Sequence, residues 1–427
     1  MALPTKNSVP DALGAALGTD RVRAAAETDS VGGAAPSWVA TVDGTEQVSA
    51  AMRVAAEHEL RVVATGSGSK LDWGAPPREV DLLVDLSAAD GIVEHAAGDL
   101  VVHAKAGTSL RRVQEQVAQS GQQLSIEHPL PNATLGGIVA TGAAGPSRHL
   151  HGTVRDLLIG ITVVRPDGVV TRAGGKVVKN VAGYDLGKLY SGSYGTLGVI
   201  TETIFRLHPL AAERRWISVD ADEPAMLDAV LRAFKRTQAM PTAVELDRTL
   251  DGRTTVCAQL EGRADATHER ALTLSELVGG ETGTNVDVHD DPPAWWGHYP
   301  HGTGDDIGLR LTVRPASIPG VISRASEAAQ RSGVKLSLRG AAGVGVLDGG
   351  IPAGTDPDAV AELVSALRTV TAAPGENTVI VRAPRAVTAT VDPWGPVPSG
   401  VLTLLKNTKA QFDPEHRLAP GRFVGGI

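Results

Sequence analysis

The sequence predicts an α+β fold with mixed sheets, on three observations. Short apolar stretches of strand-like composition alternate with stretches in which apolar residues recur at helical spacing. Several predicted strands are joined by tight turns rather than by helices, which indicates antiparallel pairs beside parallel ones. Aromatic residues make up only 3% of the chain, so Ala, Val, Leu and Ile must fill the cores. At 427 residues the chain is long enough to require a second domain.

Local patterns place the elements of the first two hundred residues. A helix is predicted from Thr45, its expected N-cap, to Glu57, and a second helix from Ser109 to a C-cap at Gly121. Strands are predicted at 60–64, 80–86, 92–95, 100–106, 159–164, 169–172 and 199–207. The run Arg165-Pro166-Asp167-Gly168 is typical of a tight hairpin turn.

A domain boundary is predicted near residue 210. Pro209 and the charged run at 213–215 mark it, which gives domains 1–210 and 211–400 and a segment 401–427 that returns to the first domain. In the second domain, Gly279-Gly280 and the Pro- and His-rich run 291–304 predict loops. The last segment, 401–427, is predicted to form a helix followed by coil.

Composition excludes several classes of protein. The 48 acidic residues outnumber the 40 basic ones, so the chain offers no broad cationic surface for nucleic acid. No stretch is long and apolar enough to span a bilayer, and the N-terminus lacks the apolar core of a secretory signal, so a cytoplasmic location is expected. The single cysteine, Cys257, can form neither an internal disulfide nor a cysteine-held cluster, and its setting predicts a buried strand residue.

The first candidate site is the glycine-rich loop Thr65-Gly66-Ser67-Gly68-Ser69-Lys70, which directly follows a predicted strand. Alternating glycine and serine lets the backbone N–H groups converge on an anion, and such a loop suits a pyrophosphate. The loop is not a dinucleotide fingerprint of the G-x-G-x-x-G kind, because the third glycine is absent, nor a Walker loop. By itself it fits a plain Gly/Ser turn equally well.

Downstream segments decide between these interpretations. They are the run 131–142, Gly152-Thr153-Val154-Arg155-Asp156, and the run 192–200. In this order they resemble the FAD-binding domain of the vanillyl-alcohol oxidase (PCMH-type) superfamily, and the run 174–186 is similar to the FAD-binding E subunit of bacterial glycolate oxidase. Phe412-Asp413-Pro414 and Ala419-Pro420-Gly421-Arg422 resemble the family's closing motif, with Ala419 where Asn is usual. The resemblance is strong over 60–207, moderate in the tail and weak over 211–400.

The resemblance implies a PCMH-type FAD-binding domain of two subdomains, a mixed-sheet α+β cap domain, and the following cofactor-binding residues. Thr65, Gly66, Ser67, Gly68, Ser69 and Lys70 would cradle the pyrophosphate, and Thr134, Leu135, Gly136, Gly137, Thr141 and Gly142 would line the flavin and ribityl chain. Gly152, Thr153 and Asp156 would help to close the site, and Gly198, Val199 and Ile200 would meet the cofactor through the backbone. Relatives with covalent FAD use a histidine in the first loop, which is absent here, so non-covalent FAD is expected.

Oxidation of a hydroxy acid requires a base and a cationic group for the carboxylate. His149 and His151 are candidate bases or surface-loop residues, and Lys179, Tyr184 and Asp185 either shape the active-site side or form structural hydrogen bonds. Arg310 and Arg314 on a predicted strand could bind a carboxylate or form surface ion pairs.

No metal site is predicted. His298 and His301, beside Asp305 and Asp306, form the nearest pattern, and solvated loop histidines are the favoured interpretation. Trp295 and Trp296 are expected to anchor an interface or the cap.

The resemblance implies the FAD-binding subunit of a glycolate-oxidase-type complex, which passes electrons from a 2-hydroxy acid through flavin to a partner. The expected partners are a second, larger flavoprotein subunit and an iron–sulfur subunit, through which the chain would reach the inner face of the membrane. One alternative is an autonomous FAD enzyme that oxidises an alditol, lactone or hydroxy acid. Another is an assembly subunit whose FAD is structural.

Overall fold

The computed structural model describes residues 9–130, 132–176, 183–302 and 304–427. Pro131, in the run 131–142, therefore lies outside the described residues. Residues 177–182 of the run 174–186, which include Lys179, also lie outside them. The chain divides into two compact units. The first contains residues up to 143, residues 153–209 and residues 396–427, and the second contains residues 144–152 and 210–395.

The strands are β1 Val22–Ala24, β2 Trp38–Thr41, β3 Val62–Thr65, β4 Leu82–Asp85, β5 Ile92–Ala96, β6 Val101–Lys105, β7 Gln122–Gln123, β8 Leu158–Val164, β9 Val170–Gly174, β10 Val199–Arg206, β11 His208–Pro209, β12 Glu213–Asp220, β13 Ala243–Arg248, β14 Thr254–Gly262, β15 Asp287–His289, β16 Ile307–Thr312, β17 Ser337–Ala341, β18 Val346–Ile351 and β19 Asn377–Arg382. The α-helices are α1 Val9–Leu17, α2 Thr45–Glu57, α3 Leu110–Ala118, α4 Leu135–Thr141, α5 Arg148–His151, α6 Val154–Leu157, α7 Gly187–Tyr190, α8 Pro224–Arg236, α9 Ala264–Thr282, α10 Ile318–Arg331, α11 Pro357–Val370, α12 Arg385–Thr388 and α13 Ser399–Phe412.

The first unit contains two main sheets. One has the order β1-β2-β4-β3 and is mixed, because β4 pairs in parallel with β2 and β3 while β1 pairs antiparallel with β2. The other, β5-β6-β10-β8-β9, is antiparallel. The turn predicted at Arg165–Gly168 is confirmed: the Gly168 N–H donates to the Arg165 carbonyl at 2.9 Å, and Gly168 has a φ of 81°, which glycine adopts readily.

The second unit is built on one eight-stranded sheet, in the order β15-β12-β14-β13-β17-β18-β16-β19. Every pair of neighbouring strands in this sheet is antiparallel. The sequence analysis expected a mixed sheet in the cap domain, but the mixed sheet of this α+β chain lies in the first unit. Side chains alternate between the two faces of a strand. On β13, Val244 and Leu246 therefore join the core formed with helices α8 to α11, while Glu245 and Asp247 point to the opposite face.

Three predicted details differ from the structure. Helix α2 begins at Thr45 rather than using it as a cap, because the Thr45 hydroxyl donates to Thr201 at 2.9 Å. Helix α3 ends at Ala118, three residues before Gly121. Gly279 and Gly280 lie inside α9, because the buried side chains of Leu274 and Val278 carry the helix through them. That packing offsets a helix propensity about 1 kcal/mol per glycine below that of alanine.

Candidate functional site

The first unit contains an open pocket formed by the β3–loop segment, helix α4 and the chain leading into β10. Its empty volume, including the open mouth, is about 720 Å³. All six residues of the glycine-rich loop line it, together with Thr134, Gly136, Gly137, Thr141, Gly198 and Ile200 among the predicted cofactor residues. The pocket is also lined by residues that the sequence did not single out as cofactor contacts, namely Ala64, Leu71, Leu86, Ala106, Ala140, Tyr194, Gly195 and Arg422.

The glycine-rich loop presents unused hydrogen-bond donors to this pocket. The backbone N–H groups of Gly66 through Lys70 donate no hydrogen bond to any residue that the structure describes. Gly66, Ser69 and Lys70 are buried or half-buried, whereas Ser67 and Gly68 are exposed. Buried or half-buried N–H groups are almost always paired in native proteins, so the unused donors on this pocket wall indicate an external acceptor. A pyrophosphate supplies acceptors of the required number and charge.

Helix α4 stands directly against the loop. A Cβ on Gly66 would lie 2.3 Å from Thr134 Oγ1, so only glycine fits at this close approach. Thr134 is the N-cap of α4, where its hydroxyl accepts from the Gly137 N–H at 3.4 Å. The N–H groups of Leu135 and Gly136 donate to the carbonyls of Thr108 and Ala106. The loop, rather than the start of α4, therefore carries most of the free donors.

Lys70 places a buried cation at the end of the loop. Its side chain is only 6% exposed, and its Nζ donates to Ser69 Oγ at 3.3 Å. Burial lowers the pKa of the Lys70 ammonium to about 8. A buried cation without a carboxylate partner is costly, and an anionic ligand in the pocket would offset that cost.

Arg422 holds the far end of the loop in place. Its guanidinium donates to the carbonyls of Lys70, Leu71 and Trp73 at 2.9, 3.0 and 3.2 Å. Arg422 is 5% exposed, and burial lowers its pKa to about 10. The sequence identified Arg422 through the closing motif but gave no sign of this role, because 352 residues separate it from Lys70.

A second buried cation supports the opposite wall. Lys409, on α13, is fully buried and donates to Asp413 Oδ2 at 2.6 Å and to the carbonyls of Thr196 and Leu418 at 2.7 and 2.9 Å. Thr196 belongs to the 192–200 run that lines the pocket. Leu418 forms a parallel bridge with Val62 at the edge of the first sheet. The C-terminal segment therefore braces both sides of the pocket.

Several predicted cofactor residues are not among those that line the pocket. Leu135 and Val199 point into the hydrophobic core, because neighbouring positions on a strand or short helix face different sides. Gly142 is the left-handed C-cap of α4, with a φ of 62°. Gly152 and the N-cap Thr153 precede α6, and Asp156 lies within this helix, where its carboxylate accepts from the N–H and hydroxyl of Thr153 at 2.8 and 2.9 Å.

The candidate catalytic residues are dispersed. His149 and His151 lie on α5, in a segment that belongs to the second unit. Burial lowers the pKa of His149, whose ring packs against Gly343, so that a Cβ there would lie 2.2 Å from Nδ1. Tyr184 is 93% exposed, and Asp185 lies 3.6 Å from Lys188, both on the surface.

The remaining candidates have structural contacts. Arg310 pairs with Asp348 at 2.8 Å, and both side chains are largely buried, so this is not the surface ion pair that was the alternative to substrate binding. Arg314 pairs with Glu376 at 2.9 Å from an exposed position. Among the described residues no cluster of histidine, cysteine and carboxylate side chains has metal-binding geometry. His298 is exposed, as predicted. His301 is buried and stacks on Tyr299, with ring centroids 5.1 Å apart, so the prediction that it is a solvated loop histidine is wrong. Its β16 neighbour Gly308 leaves the space that the ring occupies.

The structure also shows the positions of Trp295, Trp296 and Cys257, for which the sequence analysis made predictions. Trp296 is 8% exposed and packs edge-on against Trp216, with ring centroids 6.4 Å apart, in a cluster that Trp295 adjoins. Cys257 is buried on β14, as predicted, and burial raises its pKa to about 12. None of the helices in the described part of the chain is both long and apolar enough to cross a lipid bilayer.

Comparison with known proteins agrees with this geometry. Residues 36–174 match the FAD binding domain family. Glycolate oxidase subunit GlcE of Escherichia coli is 42% identical over 150 residues, which are 35% of this chain and 42% of that protein. A D-lactate dehydrogenase of Archaeoglobus fulgidus is 30% identical over 237 residues, 56% of this chain and 48% of that protein. These matches thus span less than half of each relative.

The fold has close counterparts among solved structures. That of p-cresol methylhydroxylase with substrate bound superposes with a TM-score of 0.74 over 97% of this chain and 96% of that one, at 17% sequence identity. Residues 36–174 therefore carry a domain of the FAD binding family, and the chain as a whole has the fold of p-cresol methylhydroxylase. Among proteins with such a domain, the chain is similar over 150 residues to glycolate oxidase subunit GlcE.

Proposed function

We propose that this chain is the FAD-binding subunit of a glycolate-oxidase-type complex that oxidises 2-hydroxy acids. The observation that carries the proposal is the run of unused N–H donors from Gly66 through Lys70, beside a buried ammonium, on the wall of the pocket in the first unit. The similarity to a glycolate oxidase subunit supports the substrate class. When bound, FAD supplies the acceptor for the hydride that leaves the substrate carbon.

The residues of this chain would bind and orient that cofactor. The loop N–H groups and Lys70 would hold the pyrophosphate, and Gly136, Gly137 and Gly198 would allow the backbone to lie close to it. The loop holds no histidine, and Cys257 is buried in β14 of the second unit, so we propose that the cofactor is bound without a covalent bond. His149 remains the candidate base from the sequence analysis, and burial lowers its pKa.

The partners follow from what this chain cannot supply. A single cysteine with a raised pKa cannot hold an iron–sulfur cluster, so we propose that such a centre belongs to a partner subunit, alongside a second flavoprotein subunit. We further propose that the complex is cytoplasmic and meets the inner face of the membrane through those partners. The D-lactate dehydrogenase relative favours one alternative, an FAD enzyme that acts without partners.

The first test is flavin reduction under anaerobic conditions. The chain purified with its native partners is expected to lose its oxidised flavin absorbance on addition of glycolate or D-lactate. Reduction of equal extent and rate by the isolated chain would establish the autonomous alternative instead. No reduction in either preparation, by any 2-hydroxy acid, would contradict the proposal.

The second test concerns the cofactor itself. Gly66→Ala should abolish FAD retention, because the added methyl group would meet Thr134. Gly98→Ala is the matched control, since a Cβ at Gly98 meets nothing within 4 Å. On denaturing gel electrophoresis the flavin should leave the polypeptide, and fluorescence that stays with the protein band would contradict non-covalent binding.

A further inference from the structure

A short segment of the second unit, residues 295–302, crosses one face of the eight-stranded sheet, and we call it the strap. Strands β17, β18, β16 and β19 are neighbours in that order. Consecutive strap residues meet these strands in the same order: the Tyr299 carbonyl accepts from Arg339 on β17 at 3.3 Å, the Pro300 carbonyl lies against Gly350 on β18, the His301 ring lies against Gly308 on β16, and the Gly302 carbonyl accepts from Arg382 on β19 at 2.8 Å. The strap therefore runs across the strands rather than along them.

Two glycines make room for the strap. A Cβ on Gly350 would lie 2.6 Å from the Pro300 carbonyl oxygen, and a Cβ on Gly308 would lie 2.7 Å from His301 Nε2. The next residues on these strands, Leu309 and Ile351, belong to the core that the sheet shares with its helices. Because neighbouring residues of a strand face opposite sides, both glycines and the strap lie on the side away from the helices.

His301 places a buried imidazole under the strap. It is 8% exposed, and its ring stacks on Tyr299 with an angle of 6° between the ring planes. Its Nδ1 lies 3.2 Å from the Gly302 carbonyl oxygen, which can only accept, so we assign the proton of the neutral ring to Nδ1. Nε2 is then an unprotonated nitrogen, and it is buried without a hydrogen-bond partner among the described residues.

The surroundings of His301 do not favour a second proton on its ring. Asp348 is already paired with Arg310 at 2.8 Å, and Arg382 adds a further positive charge. Burial lowers the pKa of His301, the Gly302 carbonyl and Asp348 oppose this change, and Arg382 and Arg310 add to it. The titratable and charged groups around the ring come from the strap and three strands, namely Tyr299, Arg310 of β16, Asp348 of β18 and Arg382 of β19.

We propose that protonation of His301 releases the strap from the sheet. With the strap in place, a proton on Nε2 has no acceptor within hydrogen-bond distance among the described residues, whereas water solvates the imidazolium once the strap has moved away. Below about pH 6.5, the ordinary pKa of histidine, each unit of acidification therefore favours the released strap by up to about tenfold. Above that pH neither form binds the proton, and the strap stays closed. The pH thus controls access to this face of the second unit.

Cys257 reports on the position of the strap. Trp296 of the strap packs edge-on against Trp216 of β12, with ring centroids 6.4 Å apart. Cys257 is buried in the same cluster and is the single cysteine of the chain. Release of the strap should therefore admit dithiodipyridine, a reagent that reacts with thiols even at acid pH.

The experiment measures the labelling rate of Cys257 in the full chain between about pH 8 and pH 5, divided at each pH by the rate of the urea-unfolded chain. Circular dichroism monitors the secondary structure over the same range. In the wild type this ratio should rise below about pH 6.5, by up to about tenfold per pH unit. His301→Phe keeps a flat ring on Tyr299 but cannot be protonated, so it should remove the rise. His298→Phe, at the exposed histidine of the strap, is the matched control and should keep it.

Gly308→Ala tests the same contact without changing a titratable group. Its methyl group would meet the His301 ring, so labelling should be faster than in the wild type already at pH 8. An equal acid-dependent rise in the wild type and His301→Phe, or none in the wild type, would overturn the proposal. So would loss of the circular dichroism signal along with the rise, because the whole protein would then be unfolding. Should His301→Phe fail to fold, wild-type labelling at pH 8 in Gly308→Ala would overturn it.

Discussion

Lys70 makes the sharpest quantitative prediction. Its pKa of about 8 in the folded protein, against 10.5 for an ordinary lysine, means that burying the charged ammonium costs about 3 kcal/mol at 1.36 kcal/mol per pKa unit. Lys70→Met removes the charge and keeps most of the side-chain volume. We therefore expect the FAD-free variant to be more stable than the FAD-free wild type, by up to about 3 kcal/mol.

The pH dependence of the free energy of unfolding tests independently whether the buried charge of Lys70 destabilises the folded protein. Between about pH 8 and 10.5 the unfolded chain still holds the Lys70 proton while the folded, FAD-free protein has released it, so folding becomes more favourable as the pH rises. The stability difference between Lys70→Met and the wild type should therefore be largest near neutral pH and shrink toward about pH 10. Urea unfolding of both proteins across this range measures it.

The same substitution should weaken cofactor binding. Loss of a charge-assisted hydrogen bond to the pyrophosphate predicts a dissociation constant for FAD about 10- to 100-fold higher, measured by fluorescence titration. Lys406→Met, at an exposed lysine on α13, controls for the change of residue type. An FAD-free Lys70→Met protein less stable than the wild type at neutral pH, or one with unchanged FAD affinity, would refute this account of the pocket.

Three further outcomes are expected. Lys409→Met should lower the free energy of unfolding by about 3–5 kcal/mol, because it leaves Asp413 buried without its cation, and adding Asp413→Asn should restore part of that loss; equal urea midpoints would contradict this. Arg422→Met should raise the dissociation constant for FAD at least about tenfold by releasing three loop carbonyls, as fluorescence titration would show. Cys257, with a pKa of about 12, should react with a thiol reagent at pH 8 only after denaturation, so rapid labelling of the native protein would count against its burial.

The features that the sequence predicted correctly are those with a local cause. The hairpin turn at Arg165–Gly168 and the donor-rich loop at Thr65–Lys70 follow from the conformational freedom of glycine within a few residues. The bracing of that loop could not be predicted, because Arg422 meets Lys70 across 352 residues and Lys409 meets Thr196 across 213. No local pattern records contacts at such separations.

The predictions that were wrong concern features that depend on contacts within the fold rather than on the local sequence. Gly279 and Gly280 carry a strong local turn signal, but the buried side of α9 overrides it through contacts that only the fold supplies. Residues 144–152 continue directly from the α4 motif in the sequence, and nothing in their composition indicates that they pack in the second unit. The sequence therefore could not assign this segment to the second unit.

The position of Arg422 and Lys409 along the chain also governs when the pocket can form. Both walls depend on residues made several hundred positions after the loop that they support, so a growing chain cannot complete the pocket until residue 422 has been synthesised. Contacts of such separation fold slowly. Cofactor loading therefore has to follow the synthesis of residue 422, because until then the loop lacks the support that Arg422 supplies.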